Sequence, residues 1–94
     1  MIGIYKITNK LNNKVYIGQS KNIEHRWKVH LSRYKTGRNE HLKLYQSMKK
    51  YGIENFMFEV ICECKVEELD KLEIQYIEQY NSYLKGYNCT AGGG

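Results

Sequence analysis

The stretch that decides the fold is Gly3-Ile4-Tyr5-Lys6-Ile7-Thr8-Asn9-Lys10-Leu11-Asn12-Asn13-Lys14-Val15-Tyr16-Ile17-Gly18. Residues 2–8 are mostly apolar and β-prone, Asn9 to Asn13 are turn-like, and Val15 to Gly18 are β-prone again. Two short runs around an Asn-rich loop read as a β-hairpin, because Asn tolerates the backbone angles that a tight turn demands. A turn centred between Lys10 and Leu11 sets Tyr5 opposite Tyr16, with both side chains on one face. Strand alternation then puts Ile4 on the other face.

Outward from the hairpin, residues 22–35 read as a helix, with Asn22 as N-cap and Glu24 in the first turn. At 100° per residue Ile23, Trp27, Leu31 and Tyr34 form its apolar stripe. His30 falls inside that stripe and Arg26 lies along its edge. Thr36 to Glu40 is a loop. A second helix is expected from His41 to Tyr51, with Leu44, Tyr45, Met48 and Tyr51 on its apolar side and Gly52 stopping it. Residues 56–62, Phe-Met-Phe-Glu-Val-Ile-Cys, read as a third strand. A third amphipathic helix is expected over 66–81, its stripe formed by Val66, Leu69, Leu72, Tyr76, Ile77 and Tyr80. The closing Gly92-Gly93-Gly94 resembles the start of a flexible linker, so the chain is expected to continue into a C-terminal region.

Composition narrows the class. Ninety-four residues make one small domain, and 41% apolar residues suffice for one core. The apolar runs are too short to span a bilayer, and the N-terminus lacks the pattern of a signal peptide. Three cysteines, with Cys62-x-Cys64 lacking the usual two-residue gap of a zinc knuckle, read as reduced thiols in a cytoplasmic protein. Charge is segregated: residues 1–50 hold twelve Lys/Arg and two acids (+10), residues 51–94 three Lys and eight acids (−5). A basic half of that strength points to a polyanion partner, most commonly nucleic acid.

Several side chains stand out as chemistry. Glu73 projects into the apolar stripe of the third helix, where a carboxylate is costly unless a charge or a metal compensates it. It either reaches the edge and pairs with an Arg, or it ligates a hard cation such as Mg²⁺. Arg26 and His30 are an i, i+4 pair. They are either a surface Arg and a half-buried His, or a phosphate-binding pair in which the His also moves a proton. Tyr5 and Tyr16 are either ordinary strand aromatics or hydroxyls that orient water. Lys14, Lys21, Lys28, Arg33 and His41 are candidate contacts to a phosphate backbone.

The tripeptides Gly3-Ile4-Tyr5 and Tyr16-Ile17-Gly18, with ten residues between the tyrosines and Arg26 eight residues after Gly18, resemble the defining motifs of the GIY-YIG nuclease family. The resemblance runs on through Arg26-Trp27-Lys28-Val29-His30 to Gly86-Tyr87-Asn88, and is greatest for catalytic domains of phage and intron-encoded homing endonucleases. It implies an α+β fold, a small central three-stranded antiparallel sheet flanked by helices. It also implies hydrolysis of DNA phosphodiesters with one divalent metal, Mg²⁺ or Mn²⁺, per site. By position, Tyr5 and Tyr16 match the motif tyrosines, Arg26 the arginine, His30 its accompanying histidine, Glu73 the metal-binding glutamate and Asn88 the late asparagine. The expected domain is 1–90, and 91–94 would open a linker to a DNA-reading domain.

Overall fold

The computed structural model describes residues 1–36 and 42–92. His41, expected to open the second helix and to contact nucleic acid, lies outside the described residues, as do Gly37 to Glu40 and the last two glycines.

The expected hairpin forms from β1 (Gly3–Asn9) and β2 (Val15–Ser20). Its register differs from the expectation by two positions: Tyr5 pairs with Gly18, and Tyr16 with Ile7. The reason is in the loop. The Asn9 amide donates to the Lys14 carbonyl (2.9 Å) and the Asn13 amide to the Asn9 carbonyl (2.8 Å), which centres the turn between Leu11 and Asn12. The Asn9 side chain accepts from the Leu11 amide, and Asn13 takes the left-handed conformation at φ 62°. A slip of two preserves the face of every side chain, so Tyr5 and Tyr16 still share one side.

β3 (Phe56–Glu63) adds antiparallel to β1 and completes a three-stranded sheet in the order β2-β1-β3. The β1–β3 register skips a residue: Ile4 pairs with Cys62 but Tyr5 with Val60. Gly3 sits beside this bulge, where a Cβ would overlap the Cys62 carbonyl oxygen. Three helices cover the sheet: α1 (Ile23–Thr36), α2 (Leu42–Tyr51) and α3 (Leu69–Tyr80). Asn22 caps α1 by accepting from the His25 amide (3.1 Å). Gly52, at φ 90°, follows α2 as expected.

The third helix starts later than its pattern suggests. Residues 66–68 form a 3-10 turn, in which the Glu68 carboxylate accepts from the Lys65 amide (3.1 Å). Val66 is consequently exposed and is no part of the stripe, while Leu69 and Ile77 are buried.

Alternation along β1 and β2 sorts the core into two layers. Tyr5, Ile7 and Tyr16 pack with Ile23 of α1 and Leu44, Tyr45 and Met48 of α2. Ile4, Val15 and Ile17 pack with Leu69 and Ile77 of α3. No helix among the described residues is long and apolar enough to cross a membrane. Gly92 turns back onto α3, where a Cβ would lie 2.9 Å from Ile77 and 3.4 Å from the Glu73 carboxylate.

Candidate active site

Tyr5 is wholly buried, and its ring lies under Gly18. Any Cβ at position 18 would overlap the ring carbon and the hydroxyl of Tyr5, so the last glycine of the second tripeptide makes room for the tyrosine of the first. The Tyr5 hydroxyl shares a 2.7 Å hydrogen bond with Nε2 of His30. The other ring nitrogen of His30, Nδ1, is 2.9 Å from the hydroxyl of Tyr45. His30 is thus completely buried in the α1 stripe, with a tyrosine hydroxyl on each nitrogen. That arrangement satisfies both polar atoms of an imidazole in a core, and places the ring behind Tyr5 instead of on the protein surface.

Arg26, one turn earlier on α1 and half-buried, hydrogen-bonds to Tyr5 from its own side. Burial pushes the Tyr5 phenol up to about 12, because desolvation outweighs the nearby Arg26 charge. Tyr16 stands beside this cluster, with its ring 6.3 Å from Tyr5 and 5.5 Å from His30. Burial, then Tyr5, hold its phenol well above the ordinary value. Both tyrosines are therefore neutral hydroxyls at physiological pH. Burial disfavours the Arg26 cation, and the hydrogen bond to Tyr5 works against that cost.

Glu73 belongs to α3, in the opposite layer, and reaches Gln19 of β2. Gln19 of β2 donates its amide to Glu73 (3.2 Å) and to Asp70 (2.7 Å). The Glu73 charge raises the pKa of both Tyr5 and Tyr16, so the carboxylate acts on the same cluster as Arg26 with the opposite sign. Among the described residues no three His, Cys, Asp or Glu gather as a metal cage. A half-buried single carboxylate fits a Mg²⁺-type ion that completes its shell with water and a substrate phosphate, and does not fit a tightly held structural ion.

Asn88 is tied to the β2 backbone beside the cluster. Its side-chain oxygen accepts from the Ile17 amide and its nitrogen donates to the Ile17 carbonyl, both at 2.8 Å. The Tyr87 amide donates to the Val15 carbonyl (2.9 Å). β2 is an edge strand, and this pair of residues occupies its open side where another strand would lie. Asn88 thereby fixes the backbone between Tyr16 and Gly18.

The structure thus gathers Tyr5, Tyr16, Arg26, His30 and Glu73 and places Asn88 as a brace. Lys14, Lys21 and Lys28 are exposed and Arg33 is half-buried. Lys14 lines a cleft with Lys43 and Lys50, while Lys28 lines another with Lys35. Sequence reading missed Tyr45 and Gln19. Tyr45 had a signal, since a tyrosine on a buried helix face needs a partner for its hydroxyl, and His30 on the facing helix needed one too.

Paired motif tyrosines on one face of a three-stranded sheet, an arginine and a histidine from the next helix, and a glutamate from the last define a class. The chain belongs to the GIY-YIG family, whose catalytic-domain model matches residues 1–88. It is 39% identical over 90 residues to intron-associated endonuclease 1 of Enterobacteria phage T4, covering 94% of this chain and 36% of that protein. It is 33% identical over 86 residues to a probable intron-encoded endonuclease 1 of Neurospora crassa, covering 84% of this chain and 27% of that one. The chain therefore spans about a third of the length of these relatives. The solved catalytic domain of homing endonuclease I-TevI superposes with a TM-score of 0.89 at 35% identity, over 96% of this chain and 99% of that domain.

Proposed function

We propose that this domain is the cutting part of a homing-type endonuclease, hydrolysing DNA phosphodiesters with one divalent ion, Mg²⁺ or Mn²⁺, at Glu73. The observation that carries the reading is the Tyr5 hydroxyl, held between the Arg26 guanidinium and the His30 imidazole within the influence of the Glu73 carboxylate. When bound, the ion would polarise the scissile phosphate and stabilise the leaving oxygen.

The protein's own groups supply the rest. Arg26 takes the scissile phosphate and offsets charge as the pentacoordinate state forms. A phenol at about 12 is a poor source of free phenolate at neutral pH, so Tyr5 serves better as a relay. With the Nδ1 proton of His30 donated to Tyr45, Nε2 accepts from Tyr5. As water attacks phosphorus, its proton passes to the Tyr5 oxygen and the Tyr5 proton to Nε2. The resulting imidazolium is held by Tyr45, and the departing sugar oxygen is protonated from solvent. Tyr16 packs the relay. Arg26 is half-buried and hydrogen-bonded to Tyr5, so a phosphate that it binds would be brought near the hydroxyl. The full-length protein would add a C-terminal DNA-reading domain, and would act in the cytoplasm of the phage host or microbe that carries the DNA.

The test is plasmid cleavage, with and without Mg²⁺, by the domain and its Glu73→Ala and Arg26→Ala variants over a concentration series. The expected result is Mg²⁺-dependent cutting that each variant reduces by at least ~100-fold. Cutting that survives either substitution sinks this mechanism. Retained DNA binding with no cutting by the unaltered domain points to a binding module of the same fold.

A further inference from the structure

A second cationic feature lies away from the Tyr5 cluster. The loop before β2, the outer face of α2 and the 86–87 segment enclose a cleft of about 290 Å³. Lys14, Lys43, Lys50 and Gln46 line it, over a floor formed in part by Ser47 and Tyr87. Among the described residues no Asp or Glu takes part in the lining. Lys43, Gln46 and Lys50 follow i, i+3, i+7 spacing along one face of α2, opposite the buried Leu44, Tyr45 and Met48.

Two of the three lysines are anchored by neutral groups. The Lys43 amine donates to the carbonyls of Asn88 (3.3 Å) and Tyr83 (3.5 Å). The Lys50 amine stands 5.2 Å from the Tyr51 ring centroid. Among the described residues no carboxylate pairs with Lys14, Lys43 or Lys50. Three cations around one cleft repel until an anion enters. The floor is rigid: the Tyr87 hydroxyl is 2.6 Å from Ser47 Oγ and accepts from the side chains of Asn9 (3.2 Å) and Asn12 (3.3 Å).

We propose that this cleft is a phosphate-backbone clamp, taking the sugar–phosphate chain of the nucleic acid on which the domain acts, at phosphates flanking the cut bond. The clamp rests on the nuclease reading above. Its link to the Tyr5 cluster is short: Lys43 binds the carbonyl of Asn88, whose side chain holds Ile17 between Tyr16 and Gly18. Contacts of this kind set register and affinity and do not read sequence.

The test is equilibrium binding of a DNA duplex in EDTA, where the proposed ion is absent, as a function of salt. Each lysine–phosphate contact contributes about 0.9 to the slope of log affinity against log salt. The Lys14→Gln/Lys43→Gln/Lys50→Gln variant should lower that slope by roughly 2 to 3. A control removing as much charge elsewhere, Lys49→Gln/Lys65→Gln/Lys71→Gln, should change it by less than about 1. Lys-to-Arg replacements at the three cleft positions should restore the slope. If the triple variant does not fold, the Lys14→Gln/Lys50→Gln pair, which spares the Lys43 hydrogen bonds, should lower the slope by roughly 2. Equal effects of the cleft and control variants, or an unchanged slope, overturn the clamp while leaving the nuclease reading intact. An unaltered domain that neither binds nor cuts DNA overturns both.

Discussion

On the α3 side of the sheet, Ile4, Val15 and Ile17 meet Leu69 and Ile77, contacts that stabilise through buried area and shape. On the α1–α2 side, Tyr5 and Tyr16 meet His30 and Tyr45, and nearby Asn9, Ser47 and Tyr87 form a second hydrogen-bonded group. The same two strands build both layers, and alternate residues of one hairpin feed each. The two layers differ in the polar groups they bury more than in the cohesion they supply. Both faces supply cohesion, but the side chains buried against α3 are all aliphatic. The α1–α2 face buries hydroxyls, an imidazole and a guanidinium, whose desolvation must be met by mutual hydrogen bonds.

If that division holds, changes on the two faces should register on different scales. Ile4→Ala removes a wholly buried side chain and should cost about 2–5 kcal/mol in denaturant unfolding. Its cutting rate per folded molecule should fall far less than that of any change at Tyr5.

Next in size is the alkaline limit. A phenol at 10 in the unfolded chain and about 12 in the folded one is protonated in the fold over an interval where the unfolded chain has lost its proton. Stability is therefore full below pH 10 and drains away between pH 10 and 12, by about 3 kcal/mol from Tyr5. Tyr16 pushes in the same direction. Thermal melts across pH 8–12 check this. In Tyr5→Phe the alkaline decline should be shallower, and an unchanged decline would speak against Tyr5 as its source.

Asn88→Ala strips the brace from the β2 edge, leaving the Ile17 amide and carbonyl unmatched. It should cost roughly 1–3 kcal/mol, with loss of hydrogen-exchange protection at Ile17 as the local signature. Loss of cutting with full protection at Ile17 would instead assign Asn88 to the substrate.

Smallest in stability is Tyr45→Phe, which removes one hydroxyl from His30 Nδ1 at a cost of about 1 kcal/mol. Its activity should fall more than this predicts, about tenfold, with an altered pH–rate profile because the ring is no longer held in one tautomer. An unchanged profile would make Tyr45 a packing residue only.

Much of this comparison was legible in the sequence. The strand pair, three helices and common face of Tyr5 and Tyr16 follow from periodicity, which survives a two-residue slip. The slip itself was not legible, because the side-chain hydrogen bonds of Asn9 and Asn12 choose among several turns that their composition allows. Glu73 was visible as a carboxylate within an apolar stripe. The partners of His30 were hidden, since hydrophobic pattern treats Tyr45 as one more apolar residue and says nothing about its hydroxyl. Asn88 was visible only as a matching position. Its role as a brace emerges when β2 proves to be the sheet edge.

The proposed relay requires the Tyr5 hydroxyl, held by Arg26 and His30, during bond cleavage. Single-turnover cutting of DNA by Tyr5→Phe isolates it, because the change deletes one oxygen and leaves the ring under Gly18. The rate should be lower by about 100-fold or more, with DNA affinity retained. Cutting within about twofold of the unaltered domain would contradict it.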